Sequence, residues 1–173
     1  MSSSSVLVEK SNLENTFNFL FDIEQGYLKY IFKASLLVLL IALPVAIILT
    51  AIFPDIPLIS EKLHPIDDAF GLILIAPFFE TALMAGLFLI INIFTKNFMA
   101  TCLLSAVFWA VFHGVSFPIQ GIAAFFSFFI FSVAFNVWWK SSFWAGFLVT
   151  MAIHMILNTV VIGLGFCALQ FAT

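Results

Sequence analysis

The sequence contains no arginine and few charged residues of any kind. Its six cations are all lysines, and charged residues occupy 9% of the 173 positions, whereas hydrophobic residues occupy 64%. Six widely spaced lysines do not form a basic patch, so we expect no nucleic-acid partner. A soluble domain of this size could not bury so much apolar surface in one core. The composition therefore predicts an integral membrane protein whose surroundings are the lipid bilayer.

Cysteines and targeting signals are also scarce. Cys102 and Cys167 both lie in apolar segments, and two such cysteines do not provide a disulfide framework. The first ten residues, MSSSSVLVEK, lack the basic region, apolar core and small-residue cleavage site of a signal peptide. We therefore expect the membrane spans themselves to target the protein.

The apolar runs predict an all-α polytopic membrane protein with about five transmembrane helices. Each run is close to the ~20 residues that a bilayer requires. The predicted spans are 31–53, 69–94, 98–118, 119–139 and 142–168. Residues 54–68 contain three prolines and are predicted to form a loop, with Asp67 or Asp68 capping the next span. The phenylalanine-rich stretch 125–131 is interpreted as lipid contact.

The N-terminal segment, residues 1–28, differs from the transmembrane domain, residues 29–173. Ser11 and Glu14 match a capping box, and apolar residues return at helical spacing after them. We expect a short interfacial helix that packs against the membrane domain, because its polar face is acidic rather than basic. The lysines favour a cytoplasmic N-terminus, since five of the six then lie on the cytoplasmic side and only Lys62 lies outside.

Few polar side chains interrupt the spans, and a charged or strongly polar group at bilayer depth costs roughly 2.5–3.5 kcal/mol. At ~1.5 Å per residue, four of them fall at a similar depth on three helices and are expected to converge. These are Glu80, His113, His154 and Asn158. Asn136, beside Trp138 and Trp139, is interpreted as interfacial, and His64 as a solvated loop residue.

The local spacing supports this convergence. Thr150, His154 and Asn158 lie on one face of their helix. Pro77 is predicted to leave the carbonyl of Ile73 without its helical donor, an irregularity tolerated at depth where it packs against protein or lines a wet cavity.

A small-residue pair is the other local signal near Glu80. Ala82 and Gly86 lie four residues apart in the same span. We expect this pair to admit a neighbouring helix.

Three segments then resemble a known family. The sequence has no HExxH, no GxSxG and no intramembrane Asp. The segments APFFETALMAG (76–86), SAVFWAVFHG (105–114) and HMILN (154–158) resemble, in order, the EExxxR, FxxxH and HxxxN motifs of the CPBP family of CAAX proteases and bacteriocin-processing enzymes, also called the Abi family. The resemblance spans residues 69–162. Thr81, Ala85 and Trp109 stand where the motifs have their second Glu, Arg and Phe.

The resemblance implies an intramembrane endopeptidase of a prokaryotic cell membrane that hydrolyses a membrane-embedded or lipidated peptide. On the matching positions, Glu80 is the general base, His113 assists it, and His154 and Asn158 form an oxyanion site. We expect no cofactor. The alternative is a divalent metal such as zinc bound by Glu80, His113 and His154, which fits the usual ligand preferences.

Two other functions remain alternatives at this point. A catalytically lapsed protein of the same fold could bind a membrane peptide or confer bacteriocin immunity, since Thr81 and Ala85 depart from the first motif. A proton relay in a transporter subunit is less favoured, because the spans show no internal repeat and the polar residues occupy one depth.

Overall fold

The computed structural model describes residues 17–54, 65–115 and 117–171, and all regular structure in these ranges is helical. The predicted all-α class is therefore confirmed. A 3-10 turn, Asn18–Phe21, comes first. It is followed by α1 (Tyr27–Ile52), α2 (Pro65–Phe70), a π-helical segment (Gly71–Ile75), α3 (Ala76–Phe94), α4 (Phe98–Gly114), α5 (Pro118–Trp139) and α6 (Phe143–Phe171). No break separates α2, the π-helical segment and α3.

Four described helical stretches are long and apolar enough to cross a bilayer: Tyr27–Ile52, Asp68–Phe94, Pro118–Trp139 and Phe143–Gly165. They coincide with four of the five predicted spans. The remaining prediction, 98–118, corresponds to α4, an apolar helix of 17 residues that ends at Gly114. Its length is about 25 Å, slightly less than the ~30 Å hydrocarbon core. It ends early because Pro118 begins the next helix.

In the N-terminal segment, Phe17 is α-helical and the 3-10 turn follows it, whereas the predicted capping box lies outside the described residues. The turn packs against α1 and α5, as expected for a segment that covers the membrane domain. Leu20 is buried, and the Tyr30 hydroxyl donates a hydrogen bond to its carbonyl at 2.9 Å. Gly26, at φ 82°, then turns the chain into α1.

The loop predicted at residues 54–68 ends earlier than predicted. Helix α2 already begins at Pro65, because proline has a backbone angle suited to the first helical position. Asp68 therefore lies inside the helix, and the prediction that Asp67 or Asp68 caps it is wrong. His64 and Lys62 lie outside the described residues.

Helix α5 is the centre of the bundle and packs against α1, α4, α6 and the 3-10 turn. Phe128 and Phe131 are buried, whereas Phe126 is exposed. The interpretation of residues 125–131 as lipid contact is therefore wrong for most of the stretch. Hydropathy cannot distinguish a lipid-facing phenylalanine from a buried one, because lipid and the interior of a membrane protein are equally apolar.

Small residues bring α4 and α5 close together. A Cβ atom built on Gly121 would lie 2.5 Å from the Ala110 carbonyl oxygen and 2.7 Å from the Gly114 Cα. The predicted contact through Ala82 and Gly86 is wrong: Ala82 is exposed, and a Cβ atom on Gly86 would have no neighbour within 4 Å. Both residues lie on the side of α3 that faces away from the bundle.

Asn136 joins two helices, and its predicted interfacial position stays a prediction. Its Nδ2 donates to the Sγ atom of buried Cys102 on α4 at 3.9 Å. The neighbouring Trp138 is also buried, with its ring stacked on Tyr27 at 4.5 Å and edge-on to Tyr30. Trp138 therefore takes part in helix packing.

Candidate functional site

Glu80, His113 and His154 meet at the centre of the candidate site. Glu80 lies in the first half of α3, His113 in the last turn of α4 and His154 in the middle of α6. The Glu80 Oε1 atom is 3.9 Å from His113 Nε2, and Oε2 is 3.5 Å from His154 Nε2. Both distances exceed the usual length of a direct hydrogen bond. The structure thus brings a carboxylate between two imidazole rings from three separate helices.

The backbone determines which nitrogen of His113 carries a proton. His113 Nδ1 lies 3.0 Å from the Trp109 carbonyl oxygen. Because a carbonyl only accepts, Nδ1 must be the protonated nitrogen, and the Nε2 of a neutral ring is then an acceptor. A proton between Glu80 and a neutral His113 must therefore come from the carboxyl group or from a water molecule.

Aromatic side chains surround both histidines. The Phe128 ring centroid is 5.2 Å from that of His113 and 5.5 Å from that of His154. Phe131 lies 4.7 Å from His154, and Trp109 stacks on Phe128 at 4.4 Å. Phe128 and Phe131 were not among the predicted site residues. Both phenylalanines share one face of α5 with Ala124 and Ser127. Small and hydroxyl side chains on a helix face indicate contact with another helix, so this spacing could have identified them.

The three polar side chains differ in access to solvent. His154 is almost fully buried, whereas the side chains of His113 and Glu80 are 18% and 22% exposed. The carboxylate and the first imidazole are therefore only partly covered by protein.

A cavity of about 750 Å³ lies next to the histidines, between α1, α5 and α6. His113, His154, Asn158 and Gln120 form much of its polar wall, and most of the remaining described wall is apolar. Glu80 is not among the described residues that border it. A molecule in the cavity would therefore contact the imidazoles and the Asn158 amide before the carboxylate.

Asn158 lies one helical turn beyond His154, and its side chain is already engaged. Its Nδ2 donates to the Leu72 carbonyl oxygen at 2.8 Å. Leu72 is in the π-helical segment, where the Ala76 N–H donates to the Gly71 carbonyl five residues earlier. In this register Pro77 leaves the Leu72 carbonyl without a backbone donor, and the missing donor predicted at the Ile73 carbonyl stays a prediction.

The same three side chains include atoms of the kinds that bind a metal ion. One carboxylate and two ring nitrogens suit zinc, and His113 donates its other N–H to a carbonyl, as metal-bound histidines do. No group of three or more His, Cys, Asp or Glu side chains in the described ranges is spaced to hold a metal ion. The carboxylate and imidazole atoms are of the kinds that bind a metal. In this structure, however, they lie farther apart than the ligands of one metal ion.

Comparison of the chain with protein-family models, curated proteins and solved structures finds no match.

Proposed function

We propose that this chain is an intramembrane endopeptidase in which Glu80 is the general base. The observation that carries the proposal is the position of the Glu80 carboxylate, 3.9 Å and 3.5 Å from two imidazole nitrogens, within the apolar helices. Ionisable groups at bilayer depth are costly and are most often functional. The order of the three motif-like segments supports hydrolysis over other chemistry for this group.

In the proposed reaction, water attacks the carbonyl carbon of the scissile peptide bond. Glu80 takes a proton from the water, and the carbonyl oxygen becomes the oxyanion of a tetrahedral intermediate. When the C–N bond breaks, Glu80 returns the proton to the leaving amine, so that one carboxylic acid and one amine are released. The acceptor Nε2 of His113 orients the water beside the carboxylate.

The oxyanion would be stabilised from α6. The His154 ring is held between aromatic side chains, and its Nε2 can donate once Glu80 has taken the proton. Asn158 also lines the cavity, but its Nδ2 is engaged by the Leu72 carbonyl, so His154 is the proposed donor to the oxyanion. If zinc is bound by Glu80, His113 and His154, it would supply a Lewis acid at the same place.

The proposed substrate is a membrane-embedded or lipidated peptide that enters through the cavity between α1, α5 and α6. The apolar wall would hold an apolar segment or lipid group, and the histidines would meet the peptide bond. We further propose that the N-terminus is cytoplasmic. The proposal is supported by Lys33 and Lys140, which lie over the rings of Phe19 and Phe98 at one end of the bundle, because lysines are enriched on the cytoplasmic side.

A second candidate is a peptide-binding protein without hydrolytic activity. It is favoured by the Asn158 amide, which is partly used by the backbone and so offers fewer donors to an oxyanion. Thr81 and Ala85, which replace the charged residues of the first motif, favour it as well.

The decisive experiment compares the wild type with Glu80→Gln in liposomes that contain a library of membrane peptides. Loss of a general base is expected to lower the cleavage rate about 10²- to 10⁴-fold. Glu24→Gln is the matched control, because it makes the same substitution at an exposed acid distant from Glu80 in the sequence. This variant should cleave like the wild type. Products are identified by mass spectrometry. Wild-type protein that binds peptides and cleaves none of them would support the second candidate.

A further inference from the structure

The chain contains a proline where its π-helical segment needs a donor. The Ala76 N–H bonds to the Gly71 carbonyl, so the next bond in this register would run from residue 77 to the Leu72 carbonyl. Pro77 has no N–H to give. Within a bilayer, where water does not replace the missing donor, such a carbonyl must be satisfied by another protein group.

Asn158 supplies that donor from α6, with Nδ2 at 2.8 Å from the Leu72 carbonyl oxygen. The amide nitrogen must face the carbonyl, because the amide oxygen would be repelled by it. The same bond connects two parts of the candidate site. Leu72 precedes Glu80 in one continuous helical run, and His154 lies one turn before Asn158 on α6.

We propose that Asn158 is a positioning residue, whose bond to the Leu72 carbonyl holds the π-helical segment and thereby sets the position of Glu80 relative to His154. The extra residue in the π-helical register rotates the rest of α3 by about 100° relative to an uninterrupted α-helix. The direction of the Glu80 side chain therefore depends on this register. The catalytic consequence rests on the proposed function, whereas the hydrogen bond does not.

A double-mutant cycle tests the bond, because Pro77→Ala restores an N–H at residue 77. With Pro77 in place, Asn158→Ala should increase the unfolding equilibrium constant about threefold to fifteenfold, the range for hydrogen bonds between membrane helices. In the Pro77→Ala background, the backbone can satisfy the Leu72 carbonyl, and Asn158→Ala should change the constant less than about twofold. Unfolding is measured in mixed micelles for all four proteins.

Two controls separate the bond from general effects of the substitutions. Thr159→Ala changes an exposed neighbour whose hydroxyl bonds within α6, to the Met155 carbonyl, and should have little effect. Pro44→Ala removes an exposed proline inside α1, and it should not relieve the cost of Asn158→Ala. If Asn158→Ala costs the same in the Pro77→Ala background as in the wild type, the bond has no stabilising role and the proposal is overturned.

The cleavage rate of folded protein tests the positioning role. Asn158→Ala should lower kcat strongly when Pro77 is present and far less in the Pro77→Ala background, while KM changes little in either. A direct oxyanion donor on α6 cannot be replaced by a backbone N–H on α3, so an equal loss of kcat in both backgrounds would refute positioning. If the wild type cleaves no peptide, the proposed function fails, and the unfolding cycle still decides whether the bond exists.

Discussion

Gly121→Ala is expected to weaken the contact between α4 and α5 and to disturb the candidate site. A Cβ atom at residue 121 would lie 2.5 Å from the Ala110 carbonyl oxygen, 2.7 Å from the Gly114 Cα and 3.0 Å from the Gly114 nitrogen. All three are backbone atoms, which cannot turn aside as a side chain can. The helices must therefore move apart to admit one methyl group.

The size of the effect follows from a comparison with Gly86→Ala, where a Cβ atom would meet nothing within 4 Å. Both variants gain about 0.5–1 kcal/mol from the better helix propensity of alanine. Only Gly121→Ala also introduces overpacking, which costs about 1–3 kcal/mol. The difference in the free energy of unfolding between the two variants should therefore be about 1–3 kcal/mol.

The cleavage rate should fall together with stability, because His113 precedes Gly114 in α4. Movement of this turn would lengthen the present 3.9 Å between the Glu80 and His113 side chains. Unfolding is followed in mixed micelles, and cleavage is measured on the folded fraction. Equal stability of Gly121→Ala and Gly86→Ala would show that the two helices do not approach this closely.

Two further substitutions test the surroundings of the site. Phe128→Leu keeps an apolar residue and removes stacking on Trp109, so it should destabilise the protein by about 1 kcal/mol and lower the cleavage rate. An unchanged free energy of unfolding and an unchanged cleavage rate would argue against a role of this ring in holding the histidines. Ser132→Ala removes a buried 2.9 Å hydrogen bond to the Ser105 hydroxyl and should cost about 0.6–1.7 kcal/mol in unfolding. The double variant with Ser105→Ala should be less destabilised than the sum, and strict additivity would contradict the pairing.

The sequence was sufficient for the helices and for the group of polar residues at one depth. Long apolar runs require helices in a bilayer, so the runs alone predict the spans. Glu80 and His154 could be found because charge at depth is rare. The apolar runs and the rare polar residues within them can be read from a single sequence.

The errors concern which face of each helix meets protein. Phe128 and Phe131 were interpreted as lipid contacts, and Ala82 with Gly86 as a helix contact, and both interpretations were reversed. The hydrophobic effect does not distinguish a lipid-facing from a buried phenylalanine inside a bilayer. The π-helical register of residues 71–75 was also missed, and its contact with Asn158 joins residues 86 positions apart in the sequence.

Thr81 and Ala85, where the segment differs from the EExxxR motif that it resembles, can be explained together by the positions that they occupy. Thr81 is 1% exposed and Ala85 is 6% exposed, on the side of α3 that faces the bundle. An Arg at 85 or a Glu at 81 would therefore be a buried charge, and either one alone would lack its partner. Uncharged residues at both positions avoid that cost and leave Glu80 as the carboxylate that lies beside both histidines. The proposed hydrolysis requires a proton acceptor beside the scissile bond, and among the described side chains at this depth Glu80 is the carboxylate that meets that requirement.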